Sequence, residues 1–294
     1  MGRFSISDIE KFTGVKAHTL RIWEQRYNMV IPKRTDTNIR YYDDDDLKYL
    51  LNVSILLNCG YRISKVAGMG KGKMEQVVML ASQKHQQFSG HSKSLSTAMI
   101  SMDEDAFNRT ITTCILQMGL EQTILQVIFP FMDQVGLLWM TGSIHPAHEH
   151  FVSNLIKQKL YVAIDGQTYK QSAGGKRFLL YLPDGEAHEM GLLYANYMIR
   201  SLGHKVIYLG QMTPEQDICG VFDQYNPEYV FTSVTCTPTC SDVNHFISKA
   251  ASLWCGAKLV VAGSKVSGPC GNHPDNVIVL KSLDEFLQFI NSIS

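Results

Sequence analysis

The chain has 294 residues, of which 45% are hydrophobic and 18% charged, a composition typical of soluble globular proteins. This length predicts two or three domains, each large enough to bury a core. No uninterrupted apolar run approaches about 18 residues, and the N-terminus lacks the apolar core of a signal peptide, so we expect a cytoplasmic protein without a membrane partner. The seven cysteines form no Cys-x-x-Cys pair, which argues against a disulfide framework or a zinc site.

The net charge is zero, but the charges are unevenly distributed along the chain. Residues 1–74 contain 13 Lys and Arg against 8 Asp and Glu, so this part carries +5 and the remainder −5. A basic head on an acidic body favours a polyanionic partner for the head.

The first 27 residues have the pattern of two short helices joined by a turn. Ser5 starts a run with apolar positions at Ile6 and Ile9, and Thr13-Gly14-Val15 ends it. A second helix is predicted over Lys16 to Tyr27, with Leu20 and Trp23 facing inward. This order is typical of a helix-turn-helix, in which the second helix enters the major groove.

A basic segment from Ile31 to Tyr42 follows, with turn residues at its centre. It predicts a two-stranded wing whose arginines neutralise phosphates. Asp43 to Asp46 then predicts the acidic first turn of a helix from Leu47 to Asn58, rather than a metal site. The residues that we expect to contact DNA are Lys16, His18, Thr19, Arg21, Arg26, Tyr27, Arg34, Arg40 and Tyr41.

The string from Thr19 to Tyr27, together with Arg34-Thr35 and Ile39-Arg40-Tyr41-Tyr42, resembles the winged helix-turn-helix of MerR-type regulators. The resemblance covers roughly residues 4–70, and Leu-Arg-x-Trp-Glu-x-Arg-Tyr most resembles the branch that includes the CarH/LitR cobalamin photoreceptors. MerR-type proteins bind pseudo-palindromic operators as dimers. The resemblance therefore implies double-stranded operator DNA as a partner and a homo-oligomer, either a dimer or a tetramer.

The middle of the chain is predicted to be a helical bundle. A Gly and Lys segment from Met69 to Lys73 favours a boundary there, and helical runs follow at about 75–88, 91–117, 119–141 and 145–165, with a break near 101–103. Trp139 is followed after nine residues by Glu149-His150, across a turn. Taken alone, a Trp at the end of an apolar stripe is more often part of a core.

From about residue 175 the pattern changes to alternating strands and helices. The predicted strands are Phe178 to Leu182, Val206 to Leu209, Tyr229 to Val234, Leu259 to Ala262 and Val277 to Leu280. This order predicts a parallel sheet with helices on both faces, which binds ligands beyond the carboxyl ends of its strands.

The predicted fold class is thus multidomain α and α/β. A winged helix-turn-helix head (residues 1–72) precedes a helical-bundle cap (73–170) and a flavodoxin-like, doubly wound parallel sheet (171–294).

Directly after the first of these strands comes Glu186-x-His188-x-x-Gly191. With Ser233-Val234-Thr235 and Gly263 after later strands, it resembles the cobalamin-binding module of methionine synthase, the corrinoid methyltransferases and the CarH/LitR group. The resemblance implies that His188 is the lower cobalt ligand, that Glu186 holds its other ring nitrogen, and that the cofactor's tail is lined by Gly191, Ser233, Thr235 and Gly263. Neutral imidazole and a supporting carboxylate suit this role. Ser264 stands where the family has a second glycine.

The spacing from Trp139 to Glu149-His150 matches the cap signature of the CarH/LitR group, in which the Trp covers the upper, adenosyl face of the cofactor. Adenosylcobalamin is therefore the implied cofactor, with Trp139, Glu149 and His150 beside it. In the CarH pattern the residue after this Trp is a His that binds cobalt after illumination. Met140 stands there instead, so we do not expect a stable light-state adduct unless His145 or His148 substitutes.

These observations predict a DNA-binding transcriptional repressor that is not an enzyme. Adenosylcobalamin would control it through cofactor-dependent oligomerisation. In one version of the hypothesis, light is a second signal. Two alternatives remain open: a cobalamin-free regulator that responds to a protein partner, and a corrinoid methyl carrier, which would have no need of a DNA-binding head.

Overall fold

The computed structural model describes residues 3–35, 38–70, 72–78, 90–167, 174–235, 243–266 and 273–293. It forms two compact units, Met1–Leu155 and Ile156–Ser294. Cys59, Cys114, Cys219 and Cys255 are free thiols, whereas Cys236, Cys240 and Cys270 lie outside the described residues. The boundary expected at residue 170 also lies outside them, and both expected domain boundaries stay predictions.

The head begins with the two predicted helices, α1 (Ile6–Thr13) and α2 (Ala17–Tyr27). Ser5 and Asp8 cap each other's backbone at the start of α1, and Gly14 ends it in the left-handed conformation, with φ of 70°. Leu20 and Trp23 of α2 are buried, as predicted.

The wing and the helix after it complete the head. Strand β1 (Lys33–Arg34) pairs antiparallel with β2 (Arg40–Tyr41), which confirms the predicted hairpin. Helix α3 (Asp44–Asn58) begins three residues earlier than predicted, because the Asp43 side chain caps it by accepting from the backbone of Asp46. Helix α4 (Ile63–Ala67) and a helical segment at 72–78 follow, and Met74 and Val78 pack into the core of the head.

The bundle contains α5 (Gly90–Ile100), α6 (Glu104–Thr123), a π-helical segment (Ile124–Ile128), α7 (Phe129–Met140) and α8 (Pro146–Asp165). The predicted break near 101–103 is present, and Gly119 kinks α6 with φ of 81°. By length and composition the continuous run Glu104–Met140 could cross a membrane. Phe107, Ile111 and Phe131 of this run are fully buried, so we interpret it as a helix of the bundle core. The predicted helical run at 75–88 lies largely outside the described residues.

The second unit is built on a five-stranded, wholly parallel sheet in the order β4-β3-β5-β6-β7. The strands are β3 (Arg177–Tyr181), β4 (Lys205–Gly210), β5 (Tyr229–Ser233), β6 (Lys258–Ala262) and β7 (Val277–Val279). The helices are α9 (Met190–Ser201), α10 (Glu215–Tyr225), α11 (Val243–Leu253) and α12 (Leu283–Ser292). All five predicted strands are confirmed, and the strand order is the flavodoxin-like one.

This order determines where the sheet can bind a ligand. Strand β3, the first of the sheet along the chain, lies between β4 and β5. The connections from β3 and β5 therefore leave in opposite directions at their carboxyl ends and open a crevice there. The Glu186 to Gly191 segment follows β3, and Thr235 follows β5.

Candidate functional sites

The loop after β3 exposes the side chain of His188 to solvent beside the buried carboxylate of Glu186. The His188 side chain is 56% exposed, whereas the Glu186 carboxylate beside it is fully buried. Glu186 Oε1 lies 2.6 Å from His188 Nδ1 and accepts the backbone N–H of His188 at 3.0 Å. A carboxylate can only accept, so Nδ1 is the donor, and in the neutral form of the ring Nε2 has a free lone pair. This is the arrangement of an imidazole prepared to bind a metal.

The second oxygen of Glu186 ties this loop to the neighbouring strand. Glu186 Oε2 accepts the backbone N–H of Thr235 at 2.7 Å, immediately beyond β5. Thr235 thus meets the site residues through its backbone, and Ser233 is buried at the end of β5. One buried carboxylate therefore positions the histidine and spans the crevice between β3 and β5.

Two glycines of the motif differ in whether the fold leaves room for a side chain. At Gly263, with φ of 113°, an added Cβ would lie only 2.3 Å from the carbonyl oxygen of Val234, so no side chain fits. At Gly191, in the first turn of α9, an added Cβ would meet nothing within 4 Å. The fold itself does not require a glycine at position 191, and the missing side chain leaves open space three residues after His188. Ser264, at the second glycine position, donates its hydroxyl to the carbonyl of Thr235 at 3.2 Å.

A buried polar cluster next to His188 was not predicted. Glu189 is 7% exposed and accepts the hydroxyl of Tyr208 at 2.9 Å. Burial, together with the hydrogen bond to Glu189, raises the pKa of Tyr208 well above its ordinary value. Tyr161, near the end of α8, borders this cluster and is 45% exposed; partial burial, then the charge of Glu189 and a hydrogen bond to it, raise its pKa. The sequence pattern contains no signal for this cluster, because Tyr161 and Tyr208 come from distant segments.

The end of the bundle carries the predicted cap residues. Trp139 and Met140 close α7 and are 50% and 44% exposed, so Trp139 is not a core residue. Across the turn, His150 Nδ1 lies 3.2 Å from Glu149 Oε2, and Glu149 also accepts the hydroxyl of Ser153. Glu149 and His150 lie in the first turns of α8, so the three cap residues flank the same turn. They belong to the first unit, whereas His188 belongs to the second.

His145 ends the turn and His148 lies in the first turn of α8; these are the two histidines named above as possible substitutes for the His that Met140 replaces. The rings of His145 and His148 stack with their centroids 6.0 Å apart. The backbone N–H of His145 donates to Nδ1 of His148 at 3.2 Å, so this ring nitrogen is already used.

The exposed face of α2 is basic, as expected for a helix that reads DNA. His18, Arg21 and Arg26 are exposed, and the guanidinium of Arg26 lies 5.5 Å from the centre of the Tyr27 ring. Thr19 shares a hydrogen bond with His18. Lys16 forms an ion pair with Glu10 at 2.9 Å, which raises the pKa of Lys16 and offsets part of its charge.

The two wing arginines differ in their surroundings. Arg34 is exposed and donates to the side chain of Asn38 at 2.7 Å. Arg40 Nε lies 3.8 Å from Glu24 Oε2, so its charge is partly offset. We therefore expect Arg34 to contribute more to phosphate binding than Arg40. Tyr41 lies beneath the guanidinium of Arg3, at 5.1 Å, which adds a cation that the sequence did not point to.

Comparison with known proteins finds separate family matches for the head, the bundle and the parallel sheet. The model of the MerR HTH family regulatory protein matches residues 4–73, and two models described as B12 binding domain match residues 92–164 and 177–268. The chain is 25% identical to the HTH-type transcriptional repressor CarH of Myxococcus xanthus over 252 residues, which are 84% of this chain and 83% of the relative. It is 26% identical to the repressor CarA of the same organism over 230 residues, 78% and 75% of the two chains.

A solved structure shares the fold over much of the chain. The monomethylamine corrinoid protein of Methanosarcina barkeri superposes with a TM-score of 0.52 at 14% identity, over 70% of this chain and 98% of that one. At this identity the likeness supports the fold alone. The chain therefore joins a MerR-type helix-turn-helix domain to B12-binding domains, and it resembles the CarH and CarA repressors over most of its length.

Proposed function

We propose that this protein is a cytoplasmic transcriptional repressor that binds adenosylcobalamin and changes its oligomeric state, and with it its affinity for operator DNA, in response. The observation that carries the proposal is the exposed His188, whose Nδ1 is held by the buried Glu186 carboxylate at 2.6 Å. The curated relatives are repressors, which favours regulation over catalysis.

The residues around the crevice fit cobalamin. His188 would supply Nε2 to the cobalt, Glu186 would keep the ring in the required orientation, and the open space at Gly191 would receive the lower face of the ring system. When bound, cobalamin would supply a cobalt ion, which His188 could bind through Nε2. From the resemblance to the CarH/LitR cap, the half-exposed Trp139 is the residue that we expect to cover the adenosyl group.

Oligomerisation would turn cofactor binding into a change in DNA affinity. A helix-turn-helix head reads one half-site, so stable binding to a pseudo-palindromic operator needs two heads held together. Linking two heads raises overall affinity by about 10²–10⁴ without any new contact. Light that removes the adenosyl group would release Trp139. Met140 is a poorer ligand for cobalt than the imidazole at this position in the CarH/LitR pattern, so we expect release without a stable adduct.

An absorption spectrum tests the cofactor proposal directly. The purified full chain is mixed with adenosylcobalamin, separated from free cofactor, and measured in the dark and after green light. We expect retained cobalamin with the spectrum of imidazole-ligated cobalt. His188→Ala should abolish this spectrum, whereas His245→Ala, at an exposed position of α11, should preserve it. Failure of the wild type to retain cobalamin, or equal spectra for the two variants, would refute the proposal.

Operator binding tests the head separately. Arg21→Ala should weaken binding to DNA and reduce the slope of log K against log salt by about 1, the value for one lost phosphate contact. Arg109→Ala removes an exposed arginine from α6 and is the charge-matched control. Equal salt slopes for both variants would exclude Arg21 from the interface.

The two alternatives give different results in the same assays. A cobalamin-free regulator would bind operator DNA with an affinity that adenosylcobalamin does not change. A corrinoid methyl carrier would exchange methyl groups with a partner methyltransferase and bind no operator. The MerR-type head at residues 4–73 favours regulation, since a carrier would not use it.

A further inference from the structure

Helix α3 of the head is buried on more than one face. Leu51, Asn52, Val53 and Ser54 are successive residues and are only 5%, 4%, 0% and 8% exposed. Four successive helical residues span about 300° of the helix circumference, far more than one core-facing stripe. Val53 belongs to the core of the head. Asn52 and Ser54 must therefore be covered by other segments of the chain, and as polar side chains they need hydrogen-bond partners there.

The partner of Asn52 is the turn that follows the Trp139 end of α7. Asn52 Nδ2 donates to the carbonyl oxygen of Thr141 at 3.1 Å, and Thr141 is 1% exposed. The hydroxyl of Thr141 donates to the carbonyl of Leu138 at 3.0 Å, which fixes the turn in place. Because Thr141 is two residues after Trp139, any displacement of the Trp139 backbone changes the position of this acceptor.

The opposite face of α3 holds the turn of the helix-turn-helix. Ser54 donates its hydroxyl to the carbonyl of Thr13 at 2.6 Å. Thr13 ends α1, and its side chain accepts the backbone N–H of Val15 at 3.2 Å, just before α2 begins. Residues 52 and 54 are about 200° apart on a helix, so these two buried hydrogen bonds lie on opposite sides of α3.

We propose that the Asn52–Thr141 hydrogen bond is a coupling contact, through which a change at the Trp139 segment reaches the DNA-reading helix α2 by way of α3. The identity of the signal rests on the proposed function, in which Trp139 covers bound adenosylcobalamin. The contact itself does not depend on it. A buried hydrogen bond suits this purpose, because leaving the amide or the carbonyl unpaired is costly and the two segments move together.

Hydrogen exchange of the full chain, without cofactor or DNA, tests the contact. Asn52→Ala removes the donor, and Asn154→Ala is the matched control at an exposed position of α8. We expect amides of residues 139–144 and of α3 to exchange about tenfold faster in Asn52→Ala than in the wild type, and unchanged in Asn154→Ala. Asn52→Leu keeps most of the volume without the donor and serves if Asn52→Ala does not fold.

Operator affinity with and without adenosylcobalamin then tests the coupling. The ratio of the two affinities should fall at least about threefold toward one in Asn52→Ala, with cobalamin uptake unchanged. Exchange rates equal to those of Asn154→Ala would overturn the contact, and an unchanged affinity ratio would overturn the coupling. If the wild-type affinity does not respond to cobalamin, the proposed function fails, whereas the exchange result still decides whether the contact exists.

Discussion

Replacing Glu186 by Gln tests the geometry on which the His188 site depends. The amide has nearly the shape of the carboxylate but only one acceptor atom. Oε1 of Glu186 serves the backbone and the ring of His188, and Oε2 serves the backbone N–H of Thr235. The amide oxygen should remain with His188, where it keeps two bonds. The NH₂ group then faces the N–H of Thr235, donor against donor.

The expected loss of stability follows from this one mismatch. A hydrogen bond to a charged group contributes about 1.5–3 kcal/mol, and a buried donor left without an acceptor costs about 1–3 kcal/mol. We therefore expect Glu186→Gln to lower the free energy of unfolding by about 2 kcal/mol, because the tie between the β3 loop and the end of β5 is lost. Cobalamin affinity should fall about 10–100-fold, the usual effect of losing a group that orients a metal ligand.

Urea denaturation and a spectroscopic cobalamin titration measure the two effects. Asp184→Asn, two residues upstream and exposed, removes the same charge from the same loop and is the control. We expect it to change stability by less than about 0.5 kcal/mol, as surface substitutions usually do. If Glu186→Gln matches Asp184→Asn in both measurements, the assignment of Glu186 as the support of His188 is wrong.

Three further substitutions test other parts of the structure. Gly263→Ala should cost about 2–5 kcal/mol in denaturation experiments, since its Cβ would meet the Val234 carbonyl at 2.3 Å, whereas Gly220→Ala, in an open helical position, should be neutral or stabilising by up to about 1 kcal/mol. Trp139→Ala should leave the stability of the cofactor-free protein nearly unchanged, because the side chain is half exposed, and should reduce adenosylcobalamin affinity; a large loss of stability would contradict this placement. Hydrogen bonding from Lys33 lowers the pKa of Asp43 to about 2, so its small stabilising contribution should be complete above the unfolded pKa near 4 and disappear as the pH falls toward 2. Asp43→Asn, which keeps the helix cap, should remove this acid dependence in pH-dependent unfolding.

Much of the fold could be predicted because the signals are local. Apolar runs bounded by turn residues gave all five strands of the parallel sheet, and Ser5 and Gly14 gave the limits of α1. The start of α3 was predicted three residues late, at Leu47, because the run of four aspartates does not show which one caps the helix. The Asp43 side chain is the cap, so the helix begins at Asp44.

The exposure of Trp139 could not be read from periodicity. The apolar stripe of α7 continues to this residue, so the pattern alone favours a core position. Which end of a stripe is covered depends on the neighbouring helices and on where the following turn leaves the bundle. The structure leaves Trp139 half exposed at that end.

The sequence by itself determined the identity and order of the domains and the histidine expected to bind cobalt, because helix caps, strand runs and short motifs depend on neighbouring residues. Only the tertiary structure decided what those residues contact. Glu186 meets Thr235 across 49 positions, and Asn52 meets Thr141 across 89. Such pairs form because folding brings the ends of separate elements together in a buried environment, where each polar group must find a partner. No local pattern encodes which partner that is.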